Sequence, residues 1–293
     1  MTTSREAQRG DDKRLCGLSV SLGVGDRWEK EGWRAVVEAA RIAELCGFHS
    51  IWLTHGDCGV DAAQPNPVLV AAAVSVSTQH IRVRVEKAEQ PGHDPLRIAE
   101  DWSVVDNLSN ARVELLSRVG RRKEGESLPG GPSDGVDHAR AQILSTRHLW
   151  SGKHVLRAGP EEEEYSVHTY PAPQHADPAF WLADCGDGLG LRLSAELNTG
   201  VYIIDALAFD EIAERVALSE EQFWAVNGRP GRVAVAAGTA LSPEEIQGIH
   251  ALGVEEVVHE LDIEAASGSL TEAITELAHA NDLMAMSESA RRE

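Results

Sequence analysis

The stretch HDPLRIAEDWSVVDNLSNARV runs from His93 to Val113. Pro95 suits the first turn of a helix, where its missing N–H is no loss and its fixed φ is already helical. Asp94, just before it, is the expected N-cap, because its carboxylate can accept from an unpaired first-turn N–H. Past the helix, ARVELLSRV (Ala111 to Val119) reads as a strand. Before it, IRVRVEKA (Ile81 to Ala88) reads as another. Strand, helix, strand is the repeating unit of an α/β fold.

Working outward, the same alternation fills the chain. The remaining strands are expected at Leu15–Val24, Ser50–Thr54, Ala179–Asp184, Val201–Ile204, Arg232–Gly238 and Glu255–Leu261. Helices are expected from Trp28 to Leu45, from Pro67, from Asp137 to Trp150, and over Leu189–Leu197. Three more follow, from Phe209 to Ala225, from Ser242, and from Ser269 to Met284. A Gly/Pro-rich loop is expected over Gly125–Gly135. Ser151 to Pro178 reads as an excursion with one short strand, YSVHTY. Eight strand–helix units predict a closed eight-stranded β/α (TIM) barrel, which commonly takes about 250 residues as one domain. An open doubly wound sheet is the competitor, but the turn after the first strand reads G-V-G-D-R-W and carries no GxGxxG. The expected organisation is a disordered tail over 1–14, one barrel domain over 15–285 and a frayed end over 286–293.

Composition narrows the function. A net charge of −20 argues against nucleic acid and anionic membranes, which call for clustered Lys and Arg. No apolar run approaches the roughly 18 residues of a membrane span, and the polar N-terminus lacks the apolar stretch of a signal peptide, so a cytoplasmic protein is expected. The four cysteines (Cys16, Cys46, Cys58, Cys185) show no CxxC spacing, and no metal site is expected.

His93 to Val113 resembles a signature segment of the luciferase-like flavin monooxygenases, in the branch associated with natural-product biosynthesis. ARIAELCGFHSIWL (Ala40 to Leu53), PNPVLVAAAVSVSTQHIRV (Pro65 to Val83) and FWLADCGDGLGLRLSAELNTGV (Phe180 to Val201) are similar to other passages of that family, in the same order. The resemblance implies a luciferase-like barrel that uses reduced FMN and dioxygen to oxygenate an organic substrate. It also implies a flavin reductase as partner and a homo- or heterodimer. A deazaflavin in place of FMN stays open.

Barrel enzymes carry their chemistry at the carboxyl ends of the strands. After the second strand, His55 and Asp57 form a candidate general base and its orienting carboxylate. After the third, the resemblance leads to a small, apolar bed for the flavin ring, yet the chain has Glu86, Lys87 and Glu89. These charges must pair or stay hydrated. After the fourth comes a cationic patch, with Arg118 and Arg121 as candidate anion holders. After the fifth, Gly186, Gly188 and Gly190 form a turn of the kind that places a flavin phosphate at a helix N-terminus. Gly190 stands where the family commonly has a hydroxyl residue, and Asp184 and Asp187 add opposing charge.

Three functions follow. The first is a flavin-dependent monooxygenase. The second is a flavin-free relative using the charged mouth for acid/base chemistry such as cyclisation or dehydration. The third is a non-catalytic partner subunit of a monooxygenase.

Overall fold

The computed structural model describes residues 15–21, 32–54, 66–86, 94–119, 135–158, 163–204, 208–237, 243–261 and 269–279. In chain order these form β1 (Leu15–Ser21), α1 (Trp33–Leu45), β2 (Ser50–Thr54), α2 (Pro67–Ser77), β3 (Arg82–Glu86), α3 (Pro95–Ser109) and β4 (Val113–Val119). They continue with α4 (Gly135–Trp150), β5 (Val155–Ala158), β6 (Glu164–Val167), β7 (Phe180–Asp184), α5 (Leu189–Leu197) and β8 (Gly200–Ile203). The last are α6 (Phe209–Asn227), β9 (Val233–Ala237), α7 (Pro243–Ala251) and β10 (Glu256–Leu261), followed by α8 over 270–279.

All strands except β5 and β6 close into one parallel barrel, ordered β1-β10-β9-β8-β7-β4-β3-β2. The expected barrel is therefore the fold. Its outer strand faces, with Val83, Val85, Leu115, Phe180 and Leu182, pack against helix residues such as Val36, Val74, Trp102 and Ile143. Burial of this apolar layer supplies the main driving force, at roughly 25 cal/mol per Å² removed from water.

The opening stretch serves this scaffold. Asp94 caps α3 by accepting from Leu96 N at 3.0 Å. Asn110 and Ala111 take positive φ to turn the chain into β4. The buried Asp106 carboxylate accepts from Gln174 N (2.6 Å) and His175 N (3.0 Å), and lies 2.7 Å from His175 Nδ1. It thereby ties the excursion to α3. Arg112 donates to four carbonyls, of Ser75 (2.8 Å), Thr78 (2.9 Å), Ile81 (2.7 Å) and Ser109 (2.7 Å), and so closes the end of α2.

One expectation needs correction. The excursion holds two strands, not one: β5 and β6 pair antiparallel, with Val155 opposite Val167. β6 covers only the start of YSVHTY. The expected terminal segments 1–14 and 286–293 lie outside the described residues. Among the described residues, no helix is long and apolar enough to cross a membrane.

Candidate functional site at the carboxyl ends of the strands

Alternate residues of each barrel strand point into the lumen. In β3 these are Arg82, Arg84 and Glu86, and they meet three different surroundings.

The lower half of the lumen is filled by a charged and aromatic plug. Arg84 is fully buried; its guanidinium carbon lies 4.6 Å from the Trp52 ring centre and 4.4 Å from that of Trp181. It donates Nε to Glu114 (2.7 Å) and Nη1 to Glu256. Glu114 also accepts from Arg82 (2.8 Å) and from Trp181. Arg232 joins from below through Glu255, at 2.9 Å for both donors. Burial alone would raise the Glu114 pKa, but Arg84, Arg232 and the Trp181 N–H outweigh it and hold the carboxyl at about 2. Above the guanidinium, Tyr202 stacks on Trp52 at 4.3 Å. Burial and the nearby Glu260 push its phenol well above the ordinary range. Sequence reasoning missed this plug. Its signal was the period-two spacing of charge in R-V-R-V-E, since a strand buried on both faces normally reads as continuously apolar.

Over the plug lies the mouth. Glu86 ends β3 and Arg118 stands near the end of β4; the structure brings these two candidates together. Arg118 donates Nε to Glu86 Oε1 (2.9 Å) and Nη2 to Oε2 (3.3 Å). The carboxylate side chain is 8% exposed and the guanidinium 36%. Glu86 thus pairs across adjacent strands with Arg118, a partner the sequence did not indicate. Ala183, Ile204 and Ala236 belong to the apolar cluster around Trp52, Trp181 and Tyr202, and Ser19 Oγ lies 3.2 Å from Thr54 Oγ1.

Among the glycines after β7, Gly186 (φ 95) and Gly188 (φ 70) adopt the left-handed backbone that favours glycine, and Gly188 caps α5. Gly190 has another task. A Cβ there would stand 2.8 Å from Ala183 O and from Asp184 Cα, so its missing side chain lets α5 close onto β7. Asp187 does approach the helix start, accepting from Leu189 N at 3.0 Å. Asp184, expected to oppose a phosphate, is paired with a cation. It turns outward, where Arg215 of α6 donates to its Oδ2 at 2.6 Å and to the Ile204 carbonyl at 2.8 Å. The other candidates, His55, Asp57, Lys87, Glu89 and Arg121, lie outside the described residues. Among the described residues, no group of three His, Cys, Asp or Glu side chains is placed to hold a metal ion.

Comparison with known proteins bears on the family and the fold. A family model described as luciferase-like monooxygenase matches residues 16–285. The oxygenase component of a flavin-dependent trigonelline monooxygenase from Acinetobacter baylyi is 24% identical over 159 residues, 53% of this chain and 44% of that protein. The chain spans about half the length, or less, of the curated relatives it matches. Two solved structures share the fold along nearly their whole length. The monooxygenase RslO1 from Streptomyces bottropensis has a TM-score of 0.68 at 16% identity, covering 93% of this chain and 99% of its own. An F420-dependent secondary alcohol dehydrogenase, in complex with an F420-acetone adduct, has a TM-score of 0.69 at 13% identity, covering 92% and 98%.

Proposed function

Since the chain belongs to the luciferase-like monooxygenase family, we propose that it is a flavin-dependent monooxygenase acting on an organic substrate, such as a natural-product intermediate. The observation that carries the reading is the left-handed glycine turn, Gly186 and Gly188, at the start of α5. There the first-turn N–H groups of a helix can meet a phosphate, and Arg215 has already neutralised Asp184. The residues present fit the phosphate end of FMN provided that the Asp187 carboxylate, which holds the Leu189 N–H, gives way to it. For the ring, the Glu86–Arg118 pair is neutral as a unit, and a guanidinium fork on a carboxylate is planar. Ala183, Ile204 and Ala236 add small apolar surface. Bound reduced flavin would supply the activation of dioxygen. The chain's own part is to seat the phosphate, present a flat floor and keep water from the lumen, which the plug fills.

A partner reductase fits this reading, because a relative is named as an oxygenase component. Pairing into a homo- or heterodimer is supported by exposed apolar residues on two neighbouring helices, Leu69 and Val76 on α2 with Val104 and Leu108 on α3.

The Glu86–Arg118 pair also favours a second reading. A flavin-free relative would use this polar floor, with His55, Asp57, Lys87 and Glu89, for acid/base chemistry. Titrating the purified chain with oxidised FMN, reduced FMN and F420, by absorbance and fluorescence, separates the two. The monooxygenase reading expects saturable binding of reduced FMN. Absence of binding in every redox state at about 0.5 mM, near the upper end of ordinary ligand affinities, would sink it and leave the flavin-free enzyme and the non-catalytic partner subunit.

A further inference from the structure

At the opposite face of the barrel, beside the amino ends of β7 and β8, lies a cleft of about 220 Å³. Arg147 of α4, Arg229 of the turn after α6 and Arg232 before β9 line it, with one carboxylate, Asp177. Aromatic rings brace two of the guanidiniums. Arg147 lies 5.7 Å from the Phe180 ring centre and Arg229 5.4 Å from that of Phe223. Arg147 donates to Leu197 O at 2.6 Å and faces Asp177 at 3.2 Å. Arg229 donates to the Asn198 side chain. Arg232 is bound to Glu255.

Thr199 lines the same cleft. It is 5% exposed, and among the described residues its hydroxyl has no hydrogen-bond partner. Arg147 Nε meets the Asp177 carboxylate at 3.2 Å, but not in hydrogen-bonding geometry. A buried hydroxyl left unpaired costs about 1–3 kcal/mol, so such groups ordinarily have a partner. The volume exceeds that of a single water, whose share of the liquid is about 30 Å³.

We propose that this cleft binds a small oxyanion, phosphate or a short carboxylate, held by Arg147, Arg229 and the Thr199 hydroxyl. Guanidinium forks match the oxygens of either group. The cleft concentrates positive charge in a chain of net charge −20, so it selects for anions against the general field of the molecule. Asp177 competes for Arg147, but its side chain is 66% exposed and can turn into water. Arg232 touches both the cleft and the lumen plug, with its guanidinium 4.4 Å from the Trp181 ring centre. An occupant therefore braces the base of the barrel, and its binding reads out as stability.

The test is the thermal midpoint of the full chain at constant ionic strength, with chloride replaced stepwise by inorganic phosphate in one arm and by succinate in the other. The expected result is a saturable rise in at least one arm, which also identifies the occupant's class. Arg229→Gln, at an exposed position, should fold as the parent does and weaken half-saturation about tenfold or more. Thr199→Val should weaken it as well. A rise that never saturates, or that is unchanged in Arg229→Gln, is a general salt effect and overturns the site. The readout uses no flavin, so it stands apart from the fate of the monooxygenase reading.

Discussion

Arg118 covers the Glu86 carboxylate with two donors, Nε at 2.9 Å and Nη2 at 3.3 Å, from the neighbouring strand. The register places Glu86 beside Leu116, so Arg118 stands one lumen-facing position further along β4 and reaches back over the acid. The pair is a property of the barrel, since the two residues are 32 positions apart in sequence.

A double-mutant cycle measures its worth. Glu86→Gln or Arg118→Gln alone should each cost about 1–2 kcal/mol, between the values for exposed and buried pairs. The double variant should recover about 1 kcal/mol of the summed loss. Urea denaturation of the four proteins gives the coupling. Strict additivity would mean the charges do not recognise each other in solution.

Arg84 is the keystone of the lumen plug, because among the described residues it alone contacts Glu114, Glu256, Trp52 and Trp181 together. Arg84→Ala would take the guanidinium partner from the buried Glu256, leave Glu114 with Arg82 and Arg232 only, and open a void between two indoles. A loss of about 3–5 kcal/mol is expected. Arg84→Lys should rescue little, since an ammonium lacks both the fork and the flat face that stacks on the rings. Near-parental stability of the lysine variant, by urea midpoint and slope, would contradict this account.

Much of the architecture was legible in the sequence, for physical reasons. Asp94 and Pro95 specify the start of α3 by local chemistry, and the cap forms as expected. The strand–helix alternation is likewise local. The plug was less legible because its parts are not. Arg84 and Glu114 face each other across neighbouring strands, but Glu256 reaches Arg84 only when the barrel closes between β1 and β10. The hairpin was half missed because Leu156, Arg157 and Ala158 are all exposed and leave no inside–outside alternation to read. At the mouth, Glu86 and Arg118 were each visible as charges out of place, but their partnership depends on register.

Acid should expose the plug. The unfolded chain protonates Glu114 near its ordinary value of 4.5, whereas the folded chain holds it to about 2. Between these values the unfolded state binds the extra proton. Stability from this group is therefore fully present above about 4.5 and is lost as the pH falls toward 2. The full difference is on the order of 3 kcal/mol. Urea midpoints taken from pH 5.5 down to about 2.5 should fall more steeply for the parent than for Glu114→Gln. Parallel curves would place the acid-labile groups elsewhere.

Gly190 separates the family pattern from this chain's geometry. The resemblance puts a hydroxyl residue at this place, for a phosphate. Yet a Cβ on Gly190 would press on Ala183 O and Asp184 Cα at 2.8 Å, and on Asp184 Cβ at 2.9 Å. The first two are strand backbone and the Cβ is fixed to it, so none can swing aside as the end of a flexible side chain would. Gly190→Ser should therefore push α5 away from β7 and cost about 1–3 kcal/mol, as overpacking does. It should also displace the first turn of α5 from the Gly186–Gly188 bend and so weaken FMN. The measurement pairs a urea midpoint with an FMN titration of the same preparation. A serine variant that kept its stability and bound FMN more tightly would mean that α5 stands further from β7 in solution and that position 190 faces the phosphate. A variant that lost both would assign the glycine to helix–strand packing, with the phosphate held by backbone N–H groups.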